Sequence, residues 1–250
     1  MIIITHPLHN GAMMNFYKPK DLPRGEIFTR IVNTAEDMDG VTTLWKEIYG
    51  KEFGWLDEQA DPCTDNYHGR STYYISWLNN TIPVGTMRIV RSNDMGFHIT
   101  EAVKVRSLYH RQPIMVEVQR LMIAPGIRDK RFLGAPFGVY GCMVKACFHH
   151  SIANGVDIIL ADCHLDVAKS PLESMKKMGF KETGETYVDS MNGLNCTILI
   201  METKSWIRNI YNNQSNFNNY FLDIKDWSIS KSNISGIDKL YLPNEGCIHA

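Results

Sequence analysis

The sequence predicts an α/β (α+β) domain with a mixed central sheet and helices on both faces. Three observations support this class. Strand-like apolar runs alternate with apolar-periodic helical segments through the middle of the chain, and β-rich runs joined by short turns at residues 72–90 and 180–202 predict two hairpins. The resulting order, β-α-(loop)-β-β-β-α-β-α-β-β, is typical of a sheet covered by helices.

The predicted strands are runs rich in β-branched and aromatic residues that end at turn-forming residues. The turn Asn79-Asn80-Thr81 joins one hairpin, and Asn192-Gly193 joins the other. The predicted strands are residues 26–32, 72–78, 82–90, 114–123, 156–163, 180–188 and 194–202.

Three segments are predicted to be helices: residues 35–49, 134–153 and 168–178. Asn33-Thr34 can cap the first segment, and Asn154-Gly155 is a good termination signal for the second. Residues 93–112 have a mixed pattern and are predicted to be partly helical. The polar residues 56–70 predict a loop that is either mobile or ordered by substrate.

The organisation predicted for the 250 residues is one domain with two flanking segments. Residues 1–24 contain prolines and glycines with little periodicity, which predicts an N-terminal arm. Residues 25–204 form the predicted domain. The Asn- and Ser-rich residues 205–250, with scattered aromatics, predict a polar C-terminal appendage that lies over the core.

Composition excludes several function classes. The formal net charge of −1 gives no overall attraction to nucleic acid or to an acidic membrane. No stretch approaches the roughly 20 apolar residues that span a bilayer, so we expect a cytoplasmic protein that is not integral to a membrane. The six cysteines form no C-x-x-C pair and are expected to be core residues, with no metal site.

A strand, a basic turn and a helix follow one another near the middle of the chain. Residues 116–123 read as a strand, and the turn that follows contains Arg128, Lys130 and Arg131. The N-terminus of a helix presents unpaired N–H groups and positive dipole charge to such a loop. The segment therefore predicts an anion site, with phosphate as the expected guest.

This loop resembles the acyl-cofactor loop of GNAT-fold N-acyltransferases, Arg/Gln-x-x-Gly-x-Gly/Ala. The segment Arg131-Phe-Leu-Gly134-Ala-Pro136 matches except at Pro136, which lacks one possible phosphate donor. That favours the single phosphate of a carrier protein's pantetheine over the diphosphate of coenzyme A. The resemblance implies that the acyl donor is acyl carrier protein phosphopantetheine or acyl-CoA, and that no cofactor is tightly bound. The donor-binding residues that it implies are Met122, Ile123, Ala124, Arg128, Lys130, Arg131 and Gly134.

Further motifs narrow the resemblance to acyl-homoserine-lactone (autoinducer) synthases and long-chain N-acyl amino acid synthases. Glu117-Val-Gln-Arg120 is similar to their Glu-x-Ser-Arg, with Gln119 in place of Ser. Val84-Gly-Thr-Met-Arg88 is similar to Val-Gly-x-x-Arg, and Phe53-Gly-Trp55 to Phe/Leu-Gly-Trp. The helix end Leu172-Glu-Ser-Met-Lys-Lys-Met-Gly-Phe180 is shared widely among GNAT folds.

The chemistry explains the two residues expected to be catalytic, Glu117 and Arg120. Amide formation from a thioester needs a neutral amine, so a carboxylate must remove a proton, and Glu117 is the candidate. The alternative is a strand glutamate paired with a neighbouring arginine. A regular strand would place the two side chains on opposite faces, and the resemblance implies a β-bulge between them.

The substrate-binding candidates are Trp55 and Arg88. Arg88 and Arg120 either hold an acceptor carboxylate or anchor the acidic loop through Asp61 or Asp65. Trp55 either walls the acyl or acceptor pocket or is a core residue.

Two further places in the sequence are candidates for catalysis. Tyr187 lies near the position at which many GNAT enzymes have a tyrosine that protonates the leaving thiolate. Asp162-Cys163-His164 suggests a Cys-His nucleophile, although direct transfer needs no acyl-enzyme.

These residues predict an N-acyltransferase that moves a fatty acyl group from acyl carrier protein, or acyl-CoA, to the α-amine of an amino acid. One alternative is an acyl-homoserine-lactone synthase that uses S-adenosylmethionine. The other is a non-catalytic acyl-carrier-binding module. The expected partners are an acyl carrier protein and the amino-acid acceptor, with no nucleic acid.

Overall fold

The structure, a computed structural model, describes residues 25–56, 61–93, 96–99, 113–132, 135–167, 170–213 and 215–222. The predicted N-terminal arm lies outside these ranges. So do residues 94–95 and 100–112 of the segment 93–112 that was predicted to be partly helical. Every helix within them is too short or too polar to cross a membrane.

The described residues form one seven-stranded sheet with the order β1-β2-β3-β4-β5-β7-β6. The pairing of β4 with β5 is parallel, and all the other pairs are antiparallel. This mixed sheet and its two hairpins confirm the predicted class. The strands are β1 Ile27–Ile31, β2 Ser71–Leu78, β3 Ile82–Arg91, β4 Met115–Ile123, β5 Ile158–His164, β6 Lys181–Val188 and β7 Asn195–Glu202.

The helices cover both faces of the sheet, as predicted. Thr34 caps the first helix, because its side-chain oxygen accepts from the backbone N–H of Asp37 at 3.1 Å. That helix continues into a π-helical turn at Lys46–Glu52. The α-helices are α1 Ala35–Trp45, α2 Gly138–Ala153, α3 Leu172–Met178, α4 Thr203–Asn212 and α5 Asn216–Leu222.

The main core lies between the sheet and α2. Val116 and Val118 from β4 pack there with Val139 and Met143 from α2. On the opposite face, α1 contributes Val41 to a smaller apolar cluster with residues of β2. Because apolar packing closes both faces, polar side chains on the α1 face stand out as candidates for function.

The predicted helix start at residue 134 was wrong, since α2 begins at Gly138. Phe132 and Ala135 pair in an isolated bridge, which extends the loop before the helix. Gly138 has a φ of +66°, and a Cβ there would lie 2.6 Å from the carbonyl oxygen of Lys130. Glycine is therefore required at the loop–helix junction. Helix α3 likewise begins at residue 172 rather than 168.

Part of the predicted polar appendage forms two helices that pack against α2. The ring centroids of Trp206 and Phe221 lie 4.9 and 5.7 Å from that of Phe148. Trp206 and Ile210 are four residues apart, which places both on the buried face of α4. The sequence analysis did not predict these helices, because the segment is rich in Asn and Ser. Most of those polar residues lie on the outer face of the helices.

Candidate active site

The register of the sheet aligns polar side chains across several strands on the α1 face. Tyr73 of β2 is opposite Arg88 of β3, which in turn is opposite Gln119 of β4. Further along the sheet, His164 of β5 is opposite Cys196 of β7. These pairs form a polar row across a face that is otherwise apolar.

A cavity of about 200 Å³ lies where β4 and β5 stop pairing. Their parallel ladder joins only Met115–Glu117 to residues 158–160, although both strands continue beyond it. The cavity is lined by Tyr49, Leu56, Tyr67, Arg88, His98, Glu117, Gln119, Arg120, Asp162, His164, Asp189, Ser190 and Met191.

A β-bulge interrupts β4 at this cavity. Arg88 is opposite Gln119, whereas Thr86 is opposite Met122, so one residue of β3 spans two residues of β4. Arg120 lies in the bulge and has a φ of +54°, a left-handed conformation that is uncommon for a residue with a side chain. The bulge that the family resemblance implies is therefore present.

The bulge changes which side chains of β4 share a face. Val118 and Leu121 both point into the main core, although they are three residues apart. The alternation has shifted by one residue between them. Glu117 and Arg120 consequently both line the cavity, which a regular strand would not allow.

Glu117 is buried, and its environment favours the protonated carboxyl. Burial and the nearby carboxylate of Asp162 raise the pKa of Glu117 to about 8. The Gln119 side-chain N–H donates to Oε1 of Glu117 at 2.7 Å, and this bond opposes part of the rise in pKa. A carboxyl with a pKa near neutrality is suited to proton transfer.

Arg88 is fully engaged by its neighbours. Its guanidinium donates to Asp65 at 2.6 Å, to the Tyr73 hydroxyl at 3.4 Å and, through two N–H groups, to the Gln119 side-chain carbonyl. The Arg88 side chain is only 1% exposed. Of the two roles considered for Arg88, this geometry is that of an anchor for the acidic loop.

Arg120 is held more loosely than Arg88. Its guanidinium is 3.5 Å from Asp65 and 3.7 Å from the sulfur of Met191, and it lies 4.1 Å from the ring centroid of Trp45. Burial lowers the pKa of Arg120, but a guanidinium remains charged at neutral pH. Arg120 therefore retains donor capacity toward a bound anion.

Trp55 lies behind the cavity wall rather than in it. Its ring stacks on Phe53 at 4.4 Å between centroids and lies 5.5 and 5.7 Å from the rings of Tyr49 and His164. Both of these neighbours line the cavity. Of the acidic residues that follow Trp55, residues 57 and 58 lie outside the described part of the chain.

A second polar group adjoins the cavity, and of its members the sequence reasoning named only His164 as a candidate for chemistry. Asp189, His164 and Asn192 meet at the turn between β6 and β7. Burial disfavours the Asp189 charge, but hydrogen bonding that includes the backbone N–H of Met191 at 2.9 Å outweighs burial and holds the pKa of Asp189 below its usual range. The sequence signal for Asn192 was the pair Asn192-Gly193, which predicts a turn and says nothing about chemistry.

One cluster in this group has ligand types that a metal ion uses. One ligand atom from each of His164, Asp189 and Cys196 lies within 4.8 Å of the others. Burial raises the pKa of Cys196 to about 12, so its thiol is protonated at neutral pH. Because a thiol binds metal as thiolate, a metal ion at this cluster would have to displace the thiol proton of Cys196.

The Cys-His nucleophile considered from the sequence is not assembled. Cys163 lies in the main core on the α2 face, 3.1 Å from the Ser170 hydroxyl, whereas His164 lines the cavity on the other face. The Tyr187 hydroxyl donates to Asp162 at 2.7 Å, and burial together with that carboxylate raises the tyrosine pKa. A raised pKa makes Tyr187 a weaker acid toward a thiolate.

The predicted donor-binding residues lie at the end of β4 and in the loop after it. Met122 and Ile123 are buried in the strand, and the Ala124 N–H donates to the carbonyl of Val84. Arg128 donates to the carbonyl of Ile123 at 2.9 Å and forms a two-pronged ion pair with Glu52. Arg128 therefore stabilises the loop, and the carboxylate of Glu52 neutralises its charge.

The other basic residues of the loop lie near the start of α2. A Cβ on Gly138 would be 3.2 Å from a terminal nitrogen of Arg131, which locates the guanidinium at the helix N-terminus. Lys130 is exposed beside it. Gly134 lies outside the described residues. Positive side chains and a helix N-terminus thus coincide at one end of β4.

Comparisons with known proteins give matches among solved structures only, since no family model and no curated protein sequence matches the chain. FeeM, an N-acyl amino acid synthase from uncultured soil microbes, matches 74% of this chain and 94% of its own, with 12% identity and a TM-score of 0.61. The AHL synthase LasI matches 72% and 91%, with 14% identity and a TM-score of 0.51.

An N-acetyltransferase structure extends the likeness beyond these two synthases. A putative N-acetyltransferase from Lactobacillus plantarum matches 71% of this chain and 99% of its own, with 12% identity and a TM-score of 0.51. At such identities the likeness is one of fold. The chain has the GNAT fold, as the motifs predicted.

Proposed function

We propose that the protein is a GNAT-type N-acyltransferase that moves a fatty acyl group from acyl carrier protein, or from acyl-CoA, to the α-amine of an amino acid. One observation carries this proposal. Glu117 and Arg120 are brought to one cavity by the bulge in β4, at the point where β4 parts from β5. The likeness in fold to an N-acyl amino acid synthase supports the choice of acceptor.

In the proposed reaction, Glu117 accepts a proton from the acceptor's ammonium, and the neutral amine attacks the thioester carbon. A C–N bond forms, the C–S bond breaks, and the proton lost by the attacking nitrogen ends on the pantetheine sulfur, which leaves as a thiol. The pKa of about 8 at Glu117 lies between that of an ordinary carboxyl and that of an amine, so proton transfer is feasible near neutral pH. The resemblance to GNAT enzymes implies that backbone N–H groups at the bulge face the thioester oxygen.

The donor would enter from the α2 end of β4. Arg131 lies at the N-terminus of α2, where the helix dipole also favours an anion, and Lys130 is exposed beside it. Pro136 removes one N–H from this loop, which favours the single phosphate of a carrier-bound pantetheine. A protein donor also suits the exposed lysine, because acyl carrier proteins are acidic.

A lactone synthase that uses S-adenosylmethionine is the second candidate, and one observation favours it. The ionised Asp189 and the rings of Tyr49 and Tyr67 line the cavity, and acidic and aromatic groups suit a sulfonium and an adenosine. The cavity volume of about 200 Å³ also accommodates an amino acid.

Mass spectrometry of organic extracts from cells that overexpress the protein tests the proposal. We expect N-acyl amino acids in extracts from the wild type and none above background with Glu117→Gln. Acyl-homoserine lactones in the wild-type extract would instead assign the second candidate. Extracts that match the vector control, obtained from cells containing folded protein, would favour a non-catalytic acyl-carrier-binding module.

A further inference from the structure

Asn192 fixes the tautomer of His164. The Asn192 side-chain carbonyl accepts from the backbone N–H of Leu194 at 2.9 Å, so its amide nitrogen points the other way. That nitrogen donates to Asp189 at 3.0 Å and lies 3.0 Å from Nε2 of His164. Because an amide nitrogen only donates, Nε2 is the acceptor, and the proton of the neutral imidazole is on Nδ1.

The N–H at Nδ1 of His164 is buried and has no hydrogen-bond partner among the residues that the structure describes. The residue is 3% exposed, and it lines the cavity. The carboxylate of Asp189 approaches the ring at Nε2, at 3.7 Å, and forms no hydrogen bond with Nδ1. A buried donor without a partner is disfavoured, and an oxygen of a molecule in the cavity would satisfy it.

Arg120 approaches the same turn as His164. It contacts the sulfur of Met191, the residue next to Asn192. Its contacts with Met191 and Asp65 are 3.7 and 3.5 Å long, which leaves N–H groups for a ligand. Arg88, in contrast, is occupied by Asp65, Tyr73 and Gln119. A carboxylate has two oxygens, so it can accept one hydrogen bond from the charged Arg120 and another from the neutral N–H of His164.

We propose that His164 is an acceptor-binding residue, which donates from Nδ1 to the carboxylate of the amino acid while Arg120 holds the same carboxylate by charge. Asn192 is the positioning residue, because its amide keeps the proton on Nδ1. This inference rests on the proposed function and deepens it. The carboxylate clamp consists of Arg120 and His164, and Arg88 orders the loop behind it.

Steady-state kinetics of two substitutions at His164 test this assignment. The amide nitrogen of Asn lies near the position of Nδ1, whereas that of Gln lies near Nε2. We expect His164→Gln to raise KM for the amino acid by about tenfold to a hundredfold with kcat retained, as for loss of one hydrogen bond to a charged group. His164→Asn should keep KM close to that of the wild type.

The matched substrate is the primary amine that corresponds to the amino acid without its carboxylate. With this amine, His164→Gln and the wild type should share one KM, because neither can make the bond. Lys177→Ala, which changes an exposed residue of α3 outside the cavity lining, should leave both KM values unchanged. Thermal unfolding of each variant establishes that it is folded before the kinetics are compared.

The possible outcomes distinguish a failure of the proposed function from a failure of the role assigned to His164. A wild-type protein that acylates no amino acid would overturn the proposed function. An active wild type with equal KM values for His164→Gln and wild type, or with His164→Asn as impaired as His164→Gln, would overturn the role of Nδ1. If a chelator or Cys196→Ser reproduced the rise in KM, His164 would be a metal ligand instead.

Discussion

The guanidinium of Arg88 donates two N–H groups to the side-chain carbonyl of Gln119 and so turns the Gln119 amide nitrogen toward Glu117. Asp65 holds Arg88 from the other side at 2.6 Å. A chain of fixed polar groups thus leads from the acidic loop to the proposed base. Gln119, which departs from the serine of the related motif, is the link that reaches Glu117.

The first prediction concerns the base itself. Glu117→Gln keeps the shape of the side chain but cannot accept a proton, so we expect turnover to fall by roughly 10²–10⁴-fold. Binding of the acyl donor and the far-ultraviolet circular dichroism should be unchanged. Turnover near the wild-type level at neutral pH would remove Glu117 from the mechanism.

The second prediction concerns Gln119. Its N–H stabilises the ionised form of Glu117, so Gln119→Leu should raise the pKa of Glu117 further above about 8. The acid limb of the pH profile of kcat/KM should then move to higher pH, with a loss of about tenfold per pH unit below the new pKa. Activity should recover at high pH, where Glu117 is ionised in both proteins. An unchanged acid limb would show that Gln119 has no influence on the base.

The third prediction follows from the same pKa and concerns stability. The folded state raises the pKa of Glu117 from 4.5 to about 8, so it binds a proton that the unfolded chain loses. Between these two pH values the group makes folding less favourable as pH rises, by at most about 1.4 kcal/mol per pH unit. Glu117→Gln removes this slope.

Denaturant unfolding of the wild type and of Glu117→Gln between pH 5 and pH 8 measures this pH dependence of the unfolding free energy. The variant should gain in unfolding free energy relative to the wild type as the pH rises through this window. Parallel curves for the two proteins would contradict the buried, protonated state of Glu117.

The fourth prediction concerns the carrier protein. Lys130→Glu combined with Arg131→Glu should slow association with acyl carrier protein, because charge attraction mainly raises the association rate. Added salt should weaken binding of the wild type in the same way. Lys204→Glu, on the exposed side of α4, is the matched control and should bind normally. Full activity with acyl-CoA and none with acyl carrier protein would contradict this choice of donor.

Most of the fold could be predicted because its strands and helices carry clear periodic patterns. The start of α2 could not, because the bridge between Phe132 and Ala135 and the left-handed Gly138 depend on contacts that the local sequence does not show. The helices after β7 were missed for a different reason. Their apolar stripe contains few residues, such as Trp206 and Ile210, within an Asn-rich composition.

The site divides in the same way. Glu117 and Arg120 were predicted from a motif on one strand, and the bulge that unites them came from the family resemblance. Asp189 and Asn192 were not predicted as site residues. The turn after β6 brings them to His164 of β5, and no sequence motif indicates this contact. The occupied state of Arg88 also required the structure, since its partners come from three separate segments.

The most direct test of the central claim is a reconstitution with purified protein, a long-chain acyl carrier protein and a mixture of amino acids, analysed by mass spectrometry. The account predicts an N-acyl amino acid in the absence of S-adenosylmethionine, at a rate that Glu117→Gln reduces. Product that forms only when S-adenosylmethionine is added, with methylthioadenosine released alongside it, would contradict the account.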